Sequence, residues 1–473
     1  MQKRIHFIGI CGVAMSALAA AFHKEGWEVS GSDVGFFPPI SDYLKDNNIH
    51  FYPGWHPEKM ITNGDPDIVV VGNVAGSANA EFVYARKNNL NYKSYPEVIA
   101  EYIVQKNSAV CAGTYGKTST TALLTMILQK AGKDPSYMFG GLSLNLPVSA
   151  KINNEESKDG WSVLEGDEYK TARWDSRPKF KLYSPTHLLL TSVSWDHADI
   201  YPTEETYLQA FRDLVEMIPS EGLIAACIDD LKIKKVLTNN TNGAKVVTYG
   251  KDTFVDYCYC QVKQTPAGIS FVVKHKNIEY TINAPVLGEH MAENICGVFA
   301  LAKEIDIDEQ IILNTIAEFK GIKRRLEKRS EGKIAIYDDL GHSPAKAAAT
   351  LKTLRAIYPT NKIIAIFEPN TGNRKSQSAL SYANAFEKAD QVIIPQLTKI
   401  KIDPKDTDPP FDGEKLAEII SQTHKNTLFI ADDKKLIEHV ESNTEKEDVV
   451  VFLGSHGFRG MIEELVKRNR SQL

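Results

Sequence analysis

Lys117, Thr118 and Ser119 follow directly on Gly116 in the stretch GTYGKTST, residues 113–120. Glycines, a lysine and hydroxyl residues at the start of a helix suit phosphate, because backbone N–H groups and the helix terminus point at the anion. Gly113 and Gly116, with Thr114 between them, let the chain pass close to the phosphates. Lys117 supplies positive charge, and Thr118 or Ser119 offers a hydroxyl to Mg²⁺. The stretch is shorter at its front than the common G-x-x-x-x-G-K-[ST] loop, whose first glycine falls here on Cys111. The chemistry expected is nucleotide binding with a magnesium ion.

Two acidic segments follow. VLEGDE carries Glu165, Asp167 and Glu168, and SWDHADIY carries Asp196, His197 and Asp199. Each comes at the end of an apolar run that reads as a strand. Ligands of parallel sheets lie beyond the carboxyl ends of the strands. Glu165 and His197 can therefore face the same phosphates and hold Mg²⁺ together with Thr118. A second glycine turn lies near the N-terminus, from Gly9 through Gly12 to Ser16. It is followed by Ser32 and Asp33 at the end of the next strand.

Positioning these groups takes three strand–helix patterns. RIHFIGI, a helix ending at Gly26 and WEVSGSD make a βαβ unit, followed by a strand at 67–72 and a helix at 96–104. A second pattern begins at SAVCAG, 108–113, continues through the helix TTALLTMILQKAG, and adds strands at 161–166 and 186–193. Alternating residues over 245–283 predict a β-rich patch, and a helix follows at 290–304. A third pattern opens after GIKRRLEKR, 321–329, with strands KIAIYDDL, KIIAIFEP, QVIIPQL, NTLFIAD and DVVVFLG. Strand–helix alternation of this kind implies parallel sheets. The domains expected are 1–106, 107–325 and 326–473. Trp161, Trp174 and Trp195 are expected to pack the middle one.

The 473 residues exceed one hydrophobic core. A hydrophobic share of 43% with 24% charged residues fits a folded chain, and a net charge of -5 gives no basic field for nucleic acid. The six cysteines, at 11, 111, 227, 258, 260 and 296, contain no C-x-x-C pair and read as reduced, buried thiols. No secretory signal and no membrane-spanning apolar run is evident, so a cytoplasmic protein is expected. Either a monomer or a dimer is expected.

These motifs resemble those of the Mur ligases. GTYGKTST is similar to the family's shortened GTxGKT[ST]T loop, LEGDE to its acidic metal strand, DHADIYP to its DHxD segment and LGEHMAEN to its GxHNxxN. GIKRRLEKR followed by YDDLGHSP resembles the hinge and start of its third domain. The match runs through the chain in order. SDVGFFPPISDYL, GDEYKTARWDSRPKF, IFEPNTGNRKS and GSHGFRGM are similar to the tripeptide-adding branch of the family; the alanine-adding branch reads DESDASF at the second of these.

The resemblance implies three α/β domains, each a mainly parallel sheet flanked by helices: Rossmann-like, then P-loop-ATPase-like, then Rossmann-like. It implies that ATP phosphorylates the carboxylate of UDP-N-acetylmuramate and that an amine displaces the phosphate. Glu165, His197 and Thr118 would hold Mg²⁺, His290 and Asn294 would lie near adenine, and Arg325 on the γ-phosphate. Asp339 and His342 would belong to the catalytic set. Gly9, Gly12, Ser16, Ser32 and Asp33 would hold the UDP part, and Arg374 a carboxylate of an amino-acid or tripeptide substrate. The sequence departs from the family at Tyr115, Lys170, Ser192, Met291 and Ser343, the last near the incoming amine. Arg212 stands where some members carry a modified lysine. Alanine as the amine, another amine, and a nucleotide switch without ligase chemistry are the alternatives.

Overall fold

The computed structural model describes residues 2–36, 40–73, 75–153, 159–197, 200–238, 241–399 and 408–470. Two elements of the sequence reading, the FPP of 37–39 and Asp199, lie outside them. The chain forms two compact units. One comprises Met1–Val262, Ser270–Pro285 and His290–Gly321; the other comprises Lys263–Ile269, Val286–Glu289 and Ile322–Leu473.

The first unit holds a five-stranded sheet in the order His50–Pro53, Glu28–Asp33, Arg4–Ile8, Ile68–Val71, Tyr92–Ser94. All of its pairings are parallel. Ile68–Val71 is an unbroken apolar run buried throughout, as a sheet covered on both faces favours, while Arg4–Ile8 includes buried His6 and Glu28–Asp33 ends in Ser32 and Asp33. The outer strands His50–Pro53 and Tyr92–Ser94 are short and polar, which is why the sequence pattern marks only the inner three.

The ten-stranded sheet places Asn107–Ala112 between His187–Leu190 and Trp161–Gly166, parallel to both. Glu165 stands level with Cys111, and Gly166 with Ala112. The acidic segment thus leaves the sheet beside the phosphate loop. Toward one edge come Leu223–Cys227, Lys245–Gly250, Tyr257–Thr265, Gly268–His275 and Ile278–Ala284. Trp161 is buried against the His187 ring at 4.8 Å, whereas Trp195 is 46% exposed. Trp174 departs from expectation: it stacks on Phe82 at 5.2 Å and meets Tyr92 edge-on at 5.7 Å, both beside the five-stranded sheet.

Burial pushes the His187 imidazole down from 6.5 to about 4, so it is folded in its neutral form. A histidine depressed in the folded state stabilises fully above its unfolded value, and that stability is lost as pH falls toward the folded value. His187→Gln should flatten the fall in Tm between pH 6.5 and 4, followed by thermal melts.

In the second unit, the sheet order is Glu327–Glu331, Ala335–Asp339, Val449–Gly454, Ile363–Glu368, Gln391–Pro395, Thr427–Ile430. Only the first strand is antiparallel to its neighbour. Two apolar clusters cover it, one built around Leu351, Phe367 and Leu416, the other around Ile366, Leu436 and Leu465. Among the described residues no helix is long and apolar enough to cross a membrane.

Candidate functional site

The phosphate loop connects the buried strand Asn107–Ala112 to the helix Lys117–Lys130. Both of its glycines are required by geometry. Gly113 has φ 137° and Gly116 φ 84°, conformations that suit only glycine well. A Cβ on Gly113 would come within 2.3 Å of Thr191 Oγ1, and one on Gly116 within 2.4 Å of Asn294 Oδ1. Neighbouring segments hold the loop: Tyr115 N–H donates to Ser192 Oγ at 3.0 Å, and Thr191 Oγ1 donates to the Tyr115 carbonyl at 2.5 Å. The Thr114 hydroxyl donates to the Ser194 carbonyl and accepts from the Ser194 N–H, both at 2.8 Å. Ser192, a departure from the family pattern, thus supports the loop. Tyr115, another departure, is 59% exposed.

Lys117 turns its amine back over the loop, donating to the Gly113 carbonyl at 2.6 Å and to Glu168 Oε2 at 2.8 Å. Thr118 Oγ1 donates to Glu165 Oε1 at 2.9 Å, and Glu165 Oε2 accepts the Gly140 N–H at 2.7 Å. Ser119 is buried at 8% exposure. His197, at φ 55°, brings Nε2 to 3.6 Å from Glu168 Oε1. The structure therefore separates the three expected metal residues: Thr118 pairs with Glu165, whereas His197 meets Glu168.

Glu168 is the residue that sequence reasoning left without a role. It is 1% exposed and joins Lys117, His197 and the Tyr207 hydroxyl, the last at 3.3 Å. Tyr201 donates to its carbonyl at 2.6 Å. The signal was present in LEGDE as the third acid. Asp167 is occupied otherwise: burial pushes its carboxyl up, but Lys179, at 2.5 Å, outweighs this and holds it below the usual range.

A hydroxyl and a carboxylate 2.9 Å apart at the start of the helix Lys117–Lys130 make an oxygen donor set of the kind Mg²⁺ takes. Asn294 is buried in the helix Glu289–Glu304 against Gly116, while His290 is exposed one turn earlier. Met291 is buried, and its sulfur accepts from Asn294 Nδ2 at 3.8 Å. The methionine thus packs the helix that carries the asparagine.

The first glycine turn has Gly9 at φ 90°, its N–H donating to the Ser32 carbonyl at 2.8 Å. Gly12 caps the helix Val13–Lys24 and is exposed. Asp33 Oδ2 accepts the Cys11 N–H at 2.9 Å. Two expected substrate hydroxyls point elsewhere. Ser32 is fully buried and donates to Glu81 Oε2 at 2.5 Å, and Ser16, 1% exposed, donates to the Val13 carbonyl at 3.0 Å. Hydroxyls placed in the core satisfy buried acceptors there and do not face solvent.

Arg325, Asp339, His342 and Arg374 belong to the second unit. Arg325 is exposed between Arg324 at φ 60° and Leu326 at φ 48°. Asp339 holds this turn: Oδ2 accepts the Leu326 N–H at 2.7 Å, and Oδ1 accepts the Thr350 hydroxyl at 3.0 Å. Burial, with help from Lys346, lowers the His342 imidazole, which is neutral near pH 7. Ser343 caps the helix Pro344–Ile357. Arg374 is not where a substrate carboxylate could meet it readily. It is 6% exposed, with its guanidinium donating to the carbonyls of Thr398 and Phe411 at 2.9 and 3.2 Å.

Three family models match the chain in order: the Mur ligase family catalytic domain over 4–107, the Mur ligase middle domain over 111–302 and the Mur ligase glutamate ligase domain over 324–456. The chain is 30% identical over 461 residues to a UDP-N-acetylmuramate–L-alanine ligase of Geobacter, covering 96% of this chain and 95% of that one. The chain belongs to the Mur ligase family. It is an ATP-dependent ligase joining an acid to an amine. It is also 27% identical over 471 residues to the UDP-N-acetylmuramate–L-alanyl-gamma-D-glutamyl-meso-2,6-diaminoheptandioate ligase of Haemophilus influenzae, covering 99% of each. A solved UDP-N-acetylmuramate–alanine ligase of Thermotoga maritima shares the fold over 99% of this chain and 100% of its own, with a TM-score of 0.80 at 23% identity.

Proposed function

We propose that this Mur ligase joins the lactyl carboxylate of UDP-N-acetylmuramate to the amino terminus of L-alanyl-γ-D-glutamyl-meso-diaminopimelate. The observation that carries the reading is the segment leaving Glu168, DEYKTARWDSRPKF. It forms the hairpin Lys170–Ala172 with Asp175–Pro178 directly after Glu168, the partner of Lys117, and resembles the tripeptide-adding branch. The end-to-end likeness to the Haemophilus tripeptide ligase supports it. Alanine is the second reading, favoured by the 30% identity to the Geobacter ligase.

In the reaction, a carboxylate oxygen attacks the γ-phosphorus of ATP and ADP leaves. The amine then attacks the acyl carbon, loses its proton, and phosphate leaves. Two anions must meet in the first step, so fixed positive charge and aligned N–H groups are the principal contribution of the protein. The N–H groups of Gly116, Lys117 and Thr118 at the helix start cradle the phosphates, with the Lys117 amine above them. Glu168 orients the Lys117 amine and, through its other oxygen, His197. Thr118 and Glu165 would hold Mg²⁺, which when bound neutralises phosphate charge. Asp339 fixes the turn that presents Arg325 as a further cation for the transferred group. Asn294 and His290 form the adenine side, and Gly9, Gly12 and Asp33 the uridine-nucleotide side through their backbone. The domain limits expected from the sequence give the UDP-substrate to 1–106, ATP to 107–325 and the amine to 326–473.

ADP release should require both UDP-N-acetylmuramate and the tripeptide, with L-alanine giving little turnover. Turnover with L-alanine alone would reverse the assignment of the amine.

A further inference from the structure

Away from the phosphate loop, three side chains of different chemistry converge. Cys227 ends the strand Leu223–Cys227, Asp229 lies in the loop that follows, and Glu293 projects from the helix Glu289–Glu304. One ligand atom from each lies within 4.8 Å of the others. The Cys227 thiol is 1% exposed, Glu293 is partly exposed and Asp229 is exposed, so the sulfur lies at the base and the carboxylates lead to solvent.

Groups outside the trio aim the carboxylates. Both Asp229 oxygens accept the Lys251 N–H at 2.9 Å. A Cβ on Gly250 would meet Asp229 Oδ1 at 2.4 Å, so the carboxylate seats on a bare glycine. The Tyr259 hydroxyl donates to Glu293 Oε2 at 3.5 Å. Outer partners of this kind orient metal ligands. Cys296 and Cys258 lie near enough to act electrostatically on one another, and Cys296 on Cys227 as well, so the locus is rich in sulfur.

Burial, then the Asp229 charge, pushes the Glu293 carboxyl up to about 7, against hydrogen bonds from Cys227 and Tyr259 and the charge of Lys251. Burial also raises the Cys227 thiol. We propose that Cys227, Asp229 and Glu293 form a binding site for a divalent cation of borderline softness, of the Zn²⁺ class, distinct from the magnesium donors at Thr118 and Glu165. One thiolate and two carboxylates leave a fourth tetrahedral position for water, and bond lengths for such ligands set them about 3.5 Å apart. The ligand atoms, all within 4.8 Å of one another, would draw in toward that spacing on binding. A thiolate disfavours Mg²⁺, which takes hard oxygen ligands. Binding releases the thiol proton, together with the Glu293 proton where that group is still protonated. The cation would tie a strand end to the helix whose next residue, Asn294, abuts Gly116.

The test is a Co²⁺ titration of the reduced, chelator-washed full chain. One equivalent should bind with a thiolate-to-cobalt charge-transfer band that Zn²⁺ displaces and Mg²⁺ does not. The band should vanish in Cys227→Ser, persist in Cys260→Ser, and require at least about tenfold more cobalt in Glu293→Gln. No band in the wild-type protein, or a band that survives Cys227→Ser, overturns the proposal. Should Cys227→Ser fail to fold, Glu293→Gln decides: unchanged cobalt affinity there overturns it equally.

Discussion

Lys117→Ala should lower ADP release by about 10³-fold, because it removes the loop's one fixed side-chain cation at the transferred phosphates. The same change should also cost stability. Glu168 is 1% exposed and meets the lysine amine at 2.8 Å, so truncation leaves a buried carboxylate with only His197 and Tyr207 beside it. Stranding one partner of a buried pair costs about 3 kcal/mol or more. The two effects separate in a double variant. Lys117→Met with Glu168→Gln should recover much of the lost Tm, since no buried charge is stranded, while turnover stays at the level of the single variant. Recovery of turnover in the double variant would mean that Lys117 acts through folding alone.

The second large effect belongs to Gly116. Gly116→Ala should destabilise by about 2 kcal/mol and raise the ATP KM sharply, for two separable reasons. Its φ of 84° strains any side chain, and the new Cβ would stand 2.4 Å from Asn294 Oδ1. Adding Asn294→Ala makes room for the methyl but leaves the backbone strain. The double variant should therefore regain only part of the lost Tm and no nucleotide affinity, because the adenine contact proposed for Asn294 is lost with it. Calorimetric titration with ATP reads the second quantity directly.

These two residues also show what the sequence makes legible. A strand, a glycine turn and a hydroxyl-rich helix start define the phosphate loop locally, and the structure forms it from contiguous residues. The run WSVLEG appears as the strand Trp161–Gly166 for a similar reason: the apolar pair Val163 and Leu164 is bounded by Gly160 and Gly166. Partner choice is not local. LEGDE offers three acids within four positions, and only the direction in which the chain leaves the sheet decides that Glu165 meets Thr118, Asp167 meets Lys179 and Glu168 meets Lys117. Ser32 and Arg374 sit beside motifs that bind ligands, yet one satisfies buried Glu81 and the other backbone carbonyls. The six scattered cysteines carry no spacing that would bring Cys227 to Asp229 and Glu293, because a strand end and a helix distant in sequence supply them.

Trp174 has a consequence for the order in which the chain is made. The five-stranded sheet is complete once residue 94 has left the ribosome, and its hydrogen-bonded register needs nothing later. Phe82 and Tyr92, which meet each other edge-on at 5.3 Å, nonetheless lack the Trp174 ring until it emerges, after the phosphate loop and the whole LEGDE strand have been synthesised. Domains generally fold as units during synthesis. Here the nascent sheet carries an exposed aromatic patch over that interval, and the hairpin that covers it is the one leading out of Glu168. A ribosome-stalled chain ending before Trp174 should therefore bind chaperone or hydrophobic dye more strongly than one that ends beyond the hairpin.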